Sequence, residues 1–319
     1  MNKKETIEFD QHVERGCGID VHKETVVATI SGKGIKTETR TYSTYTNSLK
    51  EMKQWLKENT ISDVAMESTG IYWKPVYNII EDSFEVLLVN ARHIKNVPGH
   101  KTDKRDSRWI CKLLLSGLLK GSFIPPKEIR QLRDLVRLKR KYIQQTSADK
   151  NRLIKTLEDA NIKLSSVVTD VFGVSATKII NDLLNKENIS AEELLCHCHG
   201  KIKKSKEEIK EALTGNITAH HKFILKAIQR AISDKENLVA EIQQEINKKV
   251  EPYKEHIELL DTIPGIDVEG AVGMISEIGI NMEVFPNEQH LASWAGLSPG
   301  NNESAGKKKA VESLMEING

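Results

Sequence analysis

Four carboxylates stand where they could share a metal site. Asp20 lies in an apolar predicted strand, and Glu67 ends a later apolar run. Asp103 and Asp106 are three residues apart, which places them on one face of a predicted helix. Strand ends and neighbouring helix starts converge on one edge of an α/β sheet. Clustered acids repel one another unless cations neutralise them, and two Mg²⁺ or Mn²⁺ ions about 4 Å apart would clamp a scissile phosphodiester.

One acid of this kind also has an ordinary structural explanation. An Asp within a strand is commonly an edge or bulge residue, so Asp20 alone would not indicate a metal. The metal interpretation therefore depends on the three downstream carboxylates joining it.

Two other segments contain residues capable of chemistry. Cys196-His197-Cys198-His199 has ligand-type side chains on consecutive residues, whereas zinc sites usually space them two to four apart, so we do not predict a zinc site there. Ser304 precedes Lys307, Lys308 and Lys309 in a segment of small and polar residues. On composition alone, that segment is typical of a disordered basic tail.

Composition excludes some classes of protein. The chain has 319 residues and a net charge of +2, so charge alone does not indicate a polyanion partner. No apolar run is long enough to span a membrane, and Met1-Asn2-Lys3-Lys4-Glu5 lacks the apolar core of a signal peptide. We therefore expect no membrane partner and a cytoplasmic location with reduced cysteines, including Cys17 and Cys111.

The elements that must position the acids form an α/β domain over residues 1–124. Alternating residues predict two antiparallel strands, 17–30 and 36–43, joined by a turn at 31–34. Helix, strand, helix and strand follow, at 46–58, 63–67, 72–80 and 85–89, and a helix is predicted over 106–119. Thr46 or Asn47 would cap the first helix. This alternation indicates a sheet with parallel strands covered by helices.

The rest of the chain is predicted to be helical. Ile124-Pro125-Pro126 suggests one boundary and Pro252 another, which divides the chain into 1–124, 125–251 and 252–319. Long helices over 127–160 and 220–249 favour an antiparallel coiled-coil-like arm, although a helix bundle with solvated charges explains them nearly as well. Short helices are expected over 170–185 and 190–213.

One face of the first long helix is predicted to be cationic, through the eight residues Arg130, Arg133, Arg137, Lys139, Arg140, Lys141, Lys150 and Arg152. The small C-terminal domain has two helical pieces around Pro264-Gly265, which resembles a helix-hairpin-helix facing a phosphate. Such turns also serve packing alone.

The four acids, on a sheet that starts with a hairpin, resemble the ribonuclease-H-like, RuvC-type fold. Gly18-Ile19-Asp20-Val21-His22-Lys23, Met66-Glu67-Ser68-Thr69-Gly70 and Lys101-Thr102-Asp103-Lys104-Arg105-Asp106 resemble motifs of the DEDD transposases of insertion-sequence family 110. Thr262-Ile263-Pro264-Gly265-Ile266 and the segment 295–307 resemble that family's second, serine transposase domain.

The resemblance implies a DNA recombinase that moves its own element. Asp20, Glu67, Asp103 and Asp106 would bind Mg²⁺ or Mn²⁺, and Ser304 would be the nucleophile that joins covalently to DNA, with Ser298 as the fallback. The implied partners are DNA (element ends and target), a structured guide RNA and further copies of the chain in a dimer or tetramer. The implied location is the cytoplasm of a bacterium or archaeon, associated with the nucleoid.

The sequence departs from the family pattern after Lys309. Only Ala310 to Gly319 follow, and they do not resemble the basic helical continuation of the family, so we expect a truncated serine domain. Two alternatives remain open. One is a RuvC-like junction nuclease that uses metal-activated water, and the other is an inactive nucleic-acid-binding remnant.

Overall fold

The structure, a computed structural model, describes most of the chain in two compact units. The units are Met1–Ile124 and Pro125–Gly319. The described residues are 12–68, 70–90, 103–186, 189–198, 204–297, 303–304 and 307–308, and only the backbone is described at 103–105, 303–304 and 307–308. Residues 91–102 and Ser298 lie outside them.

A five-stranded sheet forms the centre of the first unit. Its strands are β1 (Arg15–Val21), β2 (Thr25–Gly32), β3 (Ile35–Ser43), β4 (Asp63–Glu67) and β5 (Glu85–Val89). The spatial order is β3-β2-β1-β4-β5, in which β2 is antiparallel to β1 and β3, while β1, β4 and β5 are parallel. This confirms the predicted α/β class, and the strand order and directions are those of an RNase H-like sheet.

The prediction of one strand over 17–30 was wrong. The structure has two strands there, β1 and β2, separated by His22, Lys23 and Glu24. His22 N–H donates to Thr25 O at 2.9 Å, which closes the turn. The turn reverses the chain directly after Asp20 and Val21, so Asp20 lies near the end of a strand rather than near the start of a longer one.

Helices cover both faces of the sheet. Helix α1 (Thr46–Glu58) and α2 (Trp73–Ile80) pack on one face through a core that includes Ile19, Met66 and Met52. Helix α3 (Asp103–Leu115) packs on the other through Ile110, Leu113 and Leu114. The residue at the N-cap of α1 is Tyr45, whose side chain makes no capping hydrogen bond, so the predicted caps Thr46 and Asn47 were wrong.

Helix α3 begins and ends earlier than the predicted 106–119. Its C-terminal end is followed by a turn at Ser116 and Gly117, where Gly117 has φ +65°. Glycine adopts this left-handed conformation without strain, so it terminates the helix before Leu118. The earlier start places Asp103, together with Asp106, in the first turn of α3.

Two long helices form the main part of the second unit. They are α4 (Lys127–Asp159) and α9 (Ala219–Val250), which agree with the predicted spans to within one residue. The pair is antiparallel, because Gln131 contacts Lys249 while Lys150 contacts Glu236. Four shorter helices pack against the pair around a shared apolar core: α5 (Leu164–Val167), α6 (Val174–Asn185), α7 (Ala191–Leu195) and α8 (Lys206–Leu213).

The cationic face predicted for α4 is partly neutralised. Five of its eight members pair with acids: Arg133 and Arg137 with Glu277, Lys139 with Glu269, Lys150 with Glu236, and Arg152 with Asp149. Within the described chain, Arg140 and Lys141 show no such pair. These acids come from other elements or from the same helix one turn away, and the helix pattern considered alone did not include them.

The C-terminal elements pack on the beginning of α4. Helix α10 (Lys254–Asp261) and α11 (Val268–Ile278) share a small core with Ile129 of α4. Helix α12 (Glu288–Trp294) and two short strands, β6 (Glu303–Ser304) and β7 (Lys307–Lys308), follow. Two 3₁₀ turns, Glu251–Tyr253 and Met282–Val284, connect these elements. Across the described residues, no helix combines the length and apolar character that crossing a membrane requires.

Candidate metal site and nucleophile

Asp20 and Glu67 lie side by side at one edge of the sheet. Strands β1 and β4 are parallel, and their pairing ends with Ile19 opposite Met66. The next position on each strand is Asp20 and Glu67, and Glu67 is itself paired with Val89 of β5. The two carboxylates therefore come from the carboxyl ends of adjacent parallel strands, which is the edge where ligands bind in α/β sheets.

Both side chains belong to the face that α3 covers. Ile19 and Met66 pack in the core beneath α1 and α2, whereas Ala65 packs with α3. Side chains alternate between the faces of a strand. Glu67, two residues beyond Ala65, and Asp20, next to Ile19, therefore belong to the α3 face.

Helix α3 lies directly on the backbone of β1 and runs antiparallel to it. A Cβ at Gly16 would meet Leu114, and one at Gly18 would meet Ser107 and Cys111. Asp20 is two residues beyond Gly18, a rise of about 6.6 Å along the strand, which equals about four residues of helix. Because the helix runs antiparallel to the strand, the helix residues level with Asp20 come about four positions before those level with Gly18, which are Ser107 and Cys111. These positions belong to the first turn of α3, where Asp103 and Asp106 lie.

Buried hydroxyl groups hold this end of α3 in place. Thr29 and Ser107 are both buried, and their hydroxyl oxygens are 2.8 Å apart. Thr29 also hydrogen-bonds Thr39 of β3 at 2.9 Å, and Arg108 Nε donates to Thr39 at 3.1 Å. The sequence pattern did not identify these positioning residues, because Thr29 lies between Ala28 and Ile30, where alternation along the strand predicts a solvent-facing side chain. The structure buries Thr29 against Ser107 instead.

The carboxylate of Asp20 is buried and incompletely satisfied. Asp20 is 6% exposed, and its Oδ2 has no hydrogen-bond donor within the described structure. His22 Nε2 lies 3.1 Å from Oδ2 but is a charge neighbour rather than an aligned donor. Burial raises the pKa of Asp20 above its usual value, His22 lowers it, and the negative charges of Asp106 and Glu67 raise it further. The structure thus brings Asp20, Asp106 and Glu67 within electrostatic reach of one another.

This donor set fits a hard divalent cation. A buried carboxylate oxygen without a donor, with two further acids close enough to disfavour its charge, is stabilised by a bound positive charge. Oxygen ligands of this type select Mg²⁺ or Mn²⁺. Among the residues with described side chains, no three His, Cys, Asp or Glu residues are gathered closely enough to hold a metal. The side chain of Asp103 lies outside that set.

Ser304 lies in a short antiparallel hairpin. It is the last residue of β6 and pairs in register with Lys307, the first residue of β7, while Glu303 pairs with Lys308. The segment thus has extended backbone at the serine, where composition alone predicted a disordered tail. Lys309 and the fallback Ser298 lie outside the described residues.

The helix-hairpin-helix-like segment consists of α10, a turn and α11. Gly265 in the turn has φ +93°, and a Cβ built on it would meet no atom within 4 Å. Asp267 caps α11 by accepting a hydrogen bond from Gly270 N–H at 2.7 Å. This geometry leaves the backbone of the turn accessible, but phosphate binding by it stays a prediction.

The Cys196–His199 segment forms no described metal site. Cys196 is exposed, and His197 Nε2 is 2.9 Å from Asp182 Oδ2, so its ring is engaged by a carboxylate. His199 lies outside the described residues.

Comparisons with known proteins show similarity to transposases over two stretches of the chain. A transposase family model, that of the IS110 DEDD domain, matches residues 17–162, and a model described as the transposase IS116/IS110/IS902 family matches residues 257–315. A search of curated proteins gives no match. A solved structure of T. thermophilus RuvC in complex with a Holliday junction substrate is similar over 34% of this chain and 99% of that chain, with 10% identity and a TM-score of 0.25. The chain is accordingly similar to IS110-type transposases over its sheet domain with the following long helix and again over its C-terminal segment.

Proposed function

We propose that this chain is a DNA transposase that cuts and joins DNA, with a metal-binding acidic site in the first unit and a serine nucleophile in the second. The matches to transposase families support the general activity. The observation that carries the proposal is the placement of Asp20 and Glu67 on neighbouring strand ends, with Asp106 close enough to raise the pKa of Asp20.

The acidic site would bind Mg²⁺ or Mn²⁺ through Asp20, Glu67, Asp103 and Asp106. When bound, such ions polarise a phosphodiester and offset its negative charge. The residues of the chain prepare the site for this role. Gly18 lets α3 approach β1, the Thr29–Ser107 hydrogen bond fixes the first turn of α3, and burial keeps water away from Asp20.

Ser304 would act as the nucleophile. Its Oγ attacks phosphorus and loses its proton, a phosphoserine ester forms, and the bond to one bridging oxygen breaks, which leaves a hydroxyl end on the departing strand. Attack by a hydroxyl end of another strand then releases the serine. A serine hydroxyl needs activation for this step, and Lys307, its register partner, would offset phosphate charge together with Lys308 and Lys309.

Guide RNA, assembly into a dimer or tetramer, and phosphate binding by the turn at Gly265 form the remaining parts of the proposal. They follow from the family resemblance. Exposed cations at Arg140 and Lys141, without described acid partners, are candidates for contacts with nucleic-acid phosphates.

The test is strand cleavage by the full chain on DNA that contains the element ends, which are found by sequencing the DNA around the gene. Mg²⁺ or Mn²⁺ should support cleavage, and Asp20→Asn or Asp106→Asn should abolish it while DNA binding persists. Unchanged cleavage in either variant would exclude the four-acid site.

A denaturing gel separates the serine mechanism from hydrolysis. The wild-type chain should leave a covalent protein–DNA adduct that Ser304→Ala removes and Ser298→Ala retains. Cleavage without any adduct would indicate a junction nuclease that uses water. Binding of DNA and RNA without cleavage would indicate an inactive remnant, and loss of the adduct only in Ser298→Ala would move the nucleophile to Ser298.

A further inference from the structure

A small depression lies at the same edge of the sheet as the acids. It is lined by residues from three connections: Lys23 from the turn after β1, Thr44 from the segment after β3, and Ile71 with Tyr72 from the segment after β4. Lys23 is three residues beyond Asp20, a chain length of at most about 11 Å. The depression lies over the core beneath α1 and α2, whereas the acids belong to the α3 face, so the two sites lie on opposite sides of the same edge of the sheet. A DNA strand that crosses this edge would reach both.

The lining combines exposed apolar groups with one cation. Ile71 is 61% exposed and Tyr72 is 39% exposed, although both are large and hydrophobic. The side chains of Leu49 and Val76 form the floor and belong to the domain core. Lys23 is the charged member, and the described lining includes no acid. Exposed apolar groups at a concave site indicate an interaction surface.

The volume of the depression, about 200 Å³, is below the range of about 300–1,000 Å³ typical of sites for drug-sized ligands. It suits a single flat ring system. Aromatic side chains beside a cation are how proteins hold unpaired bases: the ring stacks on the base, and the cation contacts the backbone phosphate.

A second depression in the same unit provides a contrast. It lies at the opposite edge of the sheet, at the start of β4 and β5, and its lining includes Asp63 and Glu85. Two acids would repel a phosphate, and that edge is the one remote from Asp20 and Glu67. Position and charge therefore both favour the depression beside Tyr72 for a nucleotide.

We propose that the depression lined by Lys23, Ile71 and Tyr72 binds one unpaired base of the DNA strand whose phosphate lies at the acids. The base stacks on Tyr72, and Lys23 contacts an adjacent phosphate. Unstacking the base would hold the strand in register with Asp20 and Glu67. This inference rests on the proposed function, because the acids identify the occupant as the strand to be cut.

The experiment uses the full chain with single-stranded DNA that contains one 2-aminopurine, a base whose fluorescence is quenched by stacking. Ca²⁺ is present so that the acids do not repel the strand. The wild-type chain should quench the probe, Tyr72→Ala should weaken the quenched complex about tenfold, and Tyr72→Phe, which keeps the ring, should retain it. Tyr45→Ala is the matched control, because Tyr45 is 80% exposed and lies next to Thr44 but outside the lining.

Thermal unfolding of each variant checks that the fold is intact. Equal quenching by Tyr72→Ala and wild type would overturn the proposal, as would equal losses in Tyr45→Ala and Tyr72→Ala. Quenching of a matching RNA probe but not of DNA would also overturn it, since the occupant would then be RNA.

Cleavage assays keep this inference separate from the proposed function. Cleavage that depends on Asp20, with quenching that does not depend on Tyr72, would refute the base site and leave the function standing. Quenching that depends on Tyr72, in a chain that never cleaves DNA, would refute the function and leave the base site standing.

Discussion

The α-carbon of Gly18 lies so close to α3 that a Cβ built on it would be 2.2 Å from the carbonyl oxygen of Ser107. The same Cβ would be 2.2 Å from the backbone nitrogen of Cys111, so neither contact can be relieved by moving a side chain. Gly18 therefore sets the distance between β1 and α3, the two elements that carry Asp20 and Asp106.

Gly18→Ala should push α3 away from β1. We expect a loss of at least about 1–3 kcal/mol in the free energy of unfolding, which is typical of overpacking, together with reduced metal-dependent cleavage. Urea denaturation measures the first effect. Gly273→Ala is the control, because Gly273 lies in α11 with no atom within 4 Å of a built Cβ. It should be neutral or up to about 1 kcal/mol stabilising.

Removing one hydroxyl of the Thr29–Ser107 pair should destabilise the first unit. Thr29→Val leaves the buried Ser107 hydroxyl without that partner, so we expect a cost of about 1–3 kcal/mol. Adding Ser107→Ala to Thr29→Val should cost less than the sum of the single changes, which a double-mutant cycle measures. The exposed pair Ser31 and Thr37, 2.7 Å apart, is the control. A cost as large for Ser31→Ala would show that burial is not the cause.

Local patterns predicted the helices well. Leu49, Met52, Trp55 and Leu56 recur at helical spacing, and the structure buries all four on α1. The strand break after Val21 was not predicted, because polar residues continue through His22, Lys23 and Glu24 without a Gly or Pro to indicate a turn. The reversal there depends on the pairing of β1 with β2, which a local pattern does not contain.

Contacts between distant segments explain what sequence analysis missed at the site. Thr29 and Ser107 are 78 residues apart and meet only because Gly18 brings α3 onto the sheet. Arg137 and Glu277 are 140 residues apart, so the helix pattern of α4 alone suggested a free cation. The types and order of Asp20, Glu67 and Asp106 predict that the three acids share one metal site. The structure places Asp20 and Glu67 on adjacent strand ends, and the shared metal site stays a prediction.

The pairing of Glu277 with two arginines should hold α11 against α4. Arg137 donates to both carboxylate oxygens of Glu277, at 2.9 and 3.0 Å, and Arg133 also donates to the carbonyl of Ser276. Glu277→Gln should cost about 1–3 kcal/mol and increase hydrogen exchange at the amides of α11. Glu269→Gln removes the partner of Lys139 at a site that is 74% exposed, so it should cost less than about 1 kcal/mol. Equal hydrogen exchange at the α11 amides in Glu277→Gln and Glu269→Gln would contradict the conclusion that Glu277 holds α11 against α4.

Asp20→Asn should stabilise the metal-free protein at neutral pH. The pKa of Asp20 is raised in the folded state, chiefly by burial, so the folded protein binds the proton more tightly than the unfolded chain does. The stability contributed by the protonated group is fully present below the unfolded pKa of about 3.9 and is lost as the pH rises through the folded pKa. Thermal unfolding in EDTA should therefore show a higher midpoint for Asp20→Asn at pH 7, with a difference that shrinks towards pH 4.

Added metal should reverse the order of the two thermal midpoints, so that the wild-type chain becomes more stable than Asp20→Asn. A ligand that binds only the folded state, present at 100 times its dissociation constant, adds about 2.7 kcal/mol to the free energy of unfolding. Mn²⁺ should therefore raise the thermal midpoint of the wild-type chain, and it should raise the midpoint of Asp20→Asn much less. Asp63→Asn is the control, because Asp63 begins β4 at the opposite edge from Glu67 and should leave the response to Mn²⁺ unchanged. Because this readout needs neither DNA nor turnover, it tests the acidic site independently of Ser304. Equal shifts in the wild-type chain and Asp20→Asn would mean that the buried oxygen of Asp20 does not bind the ion.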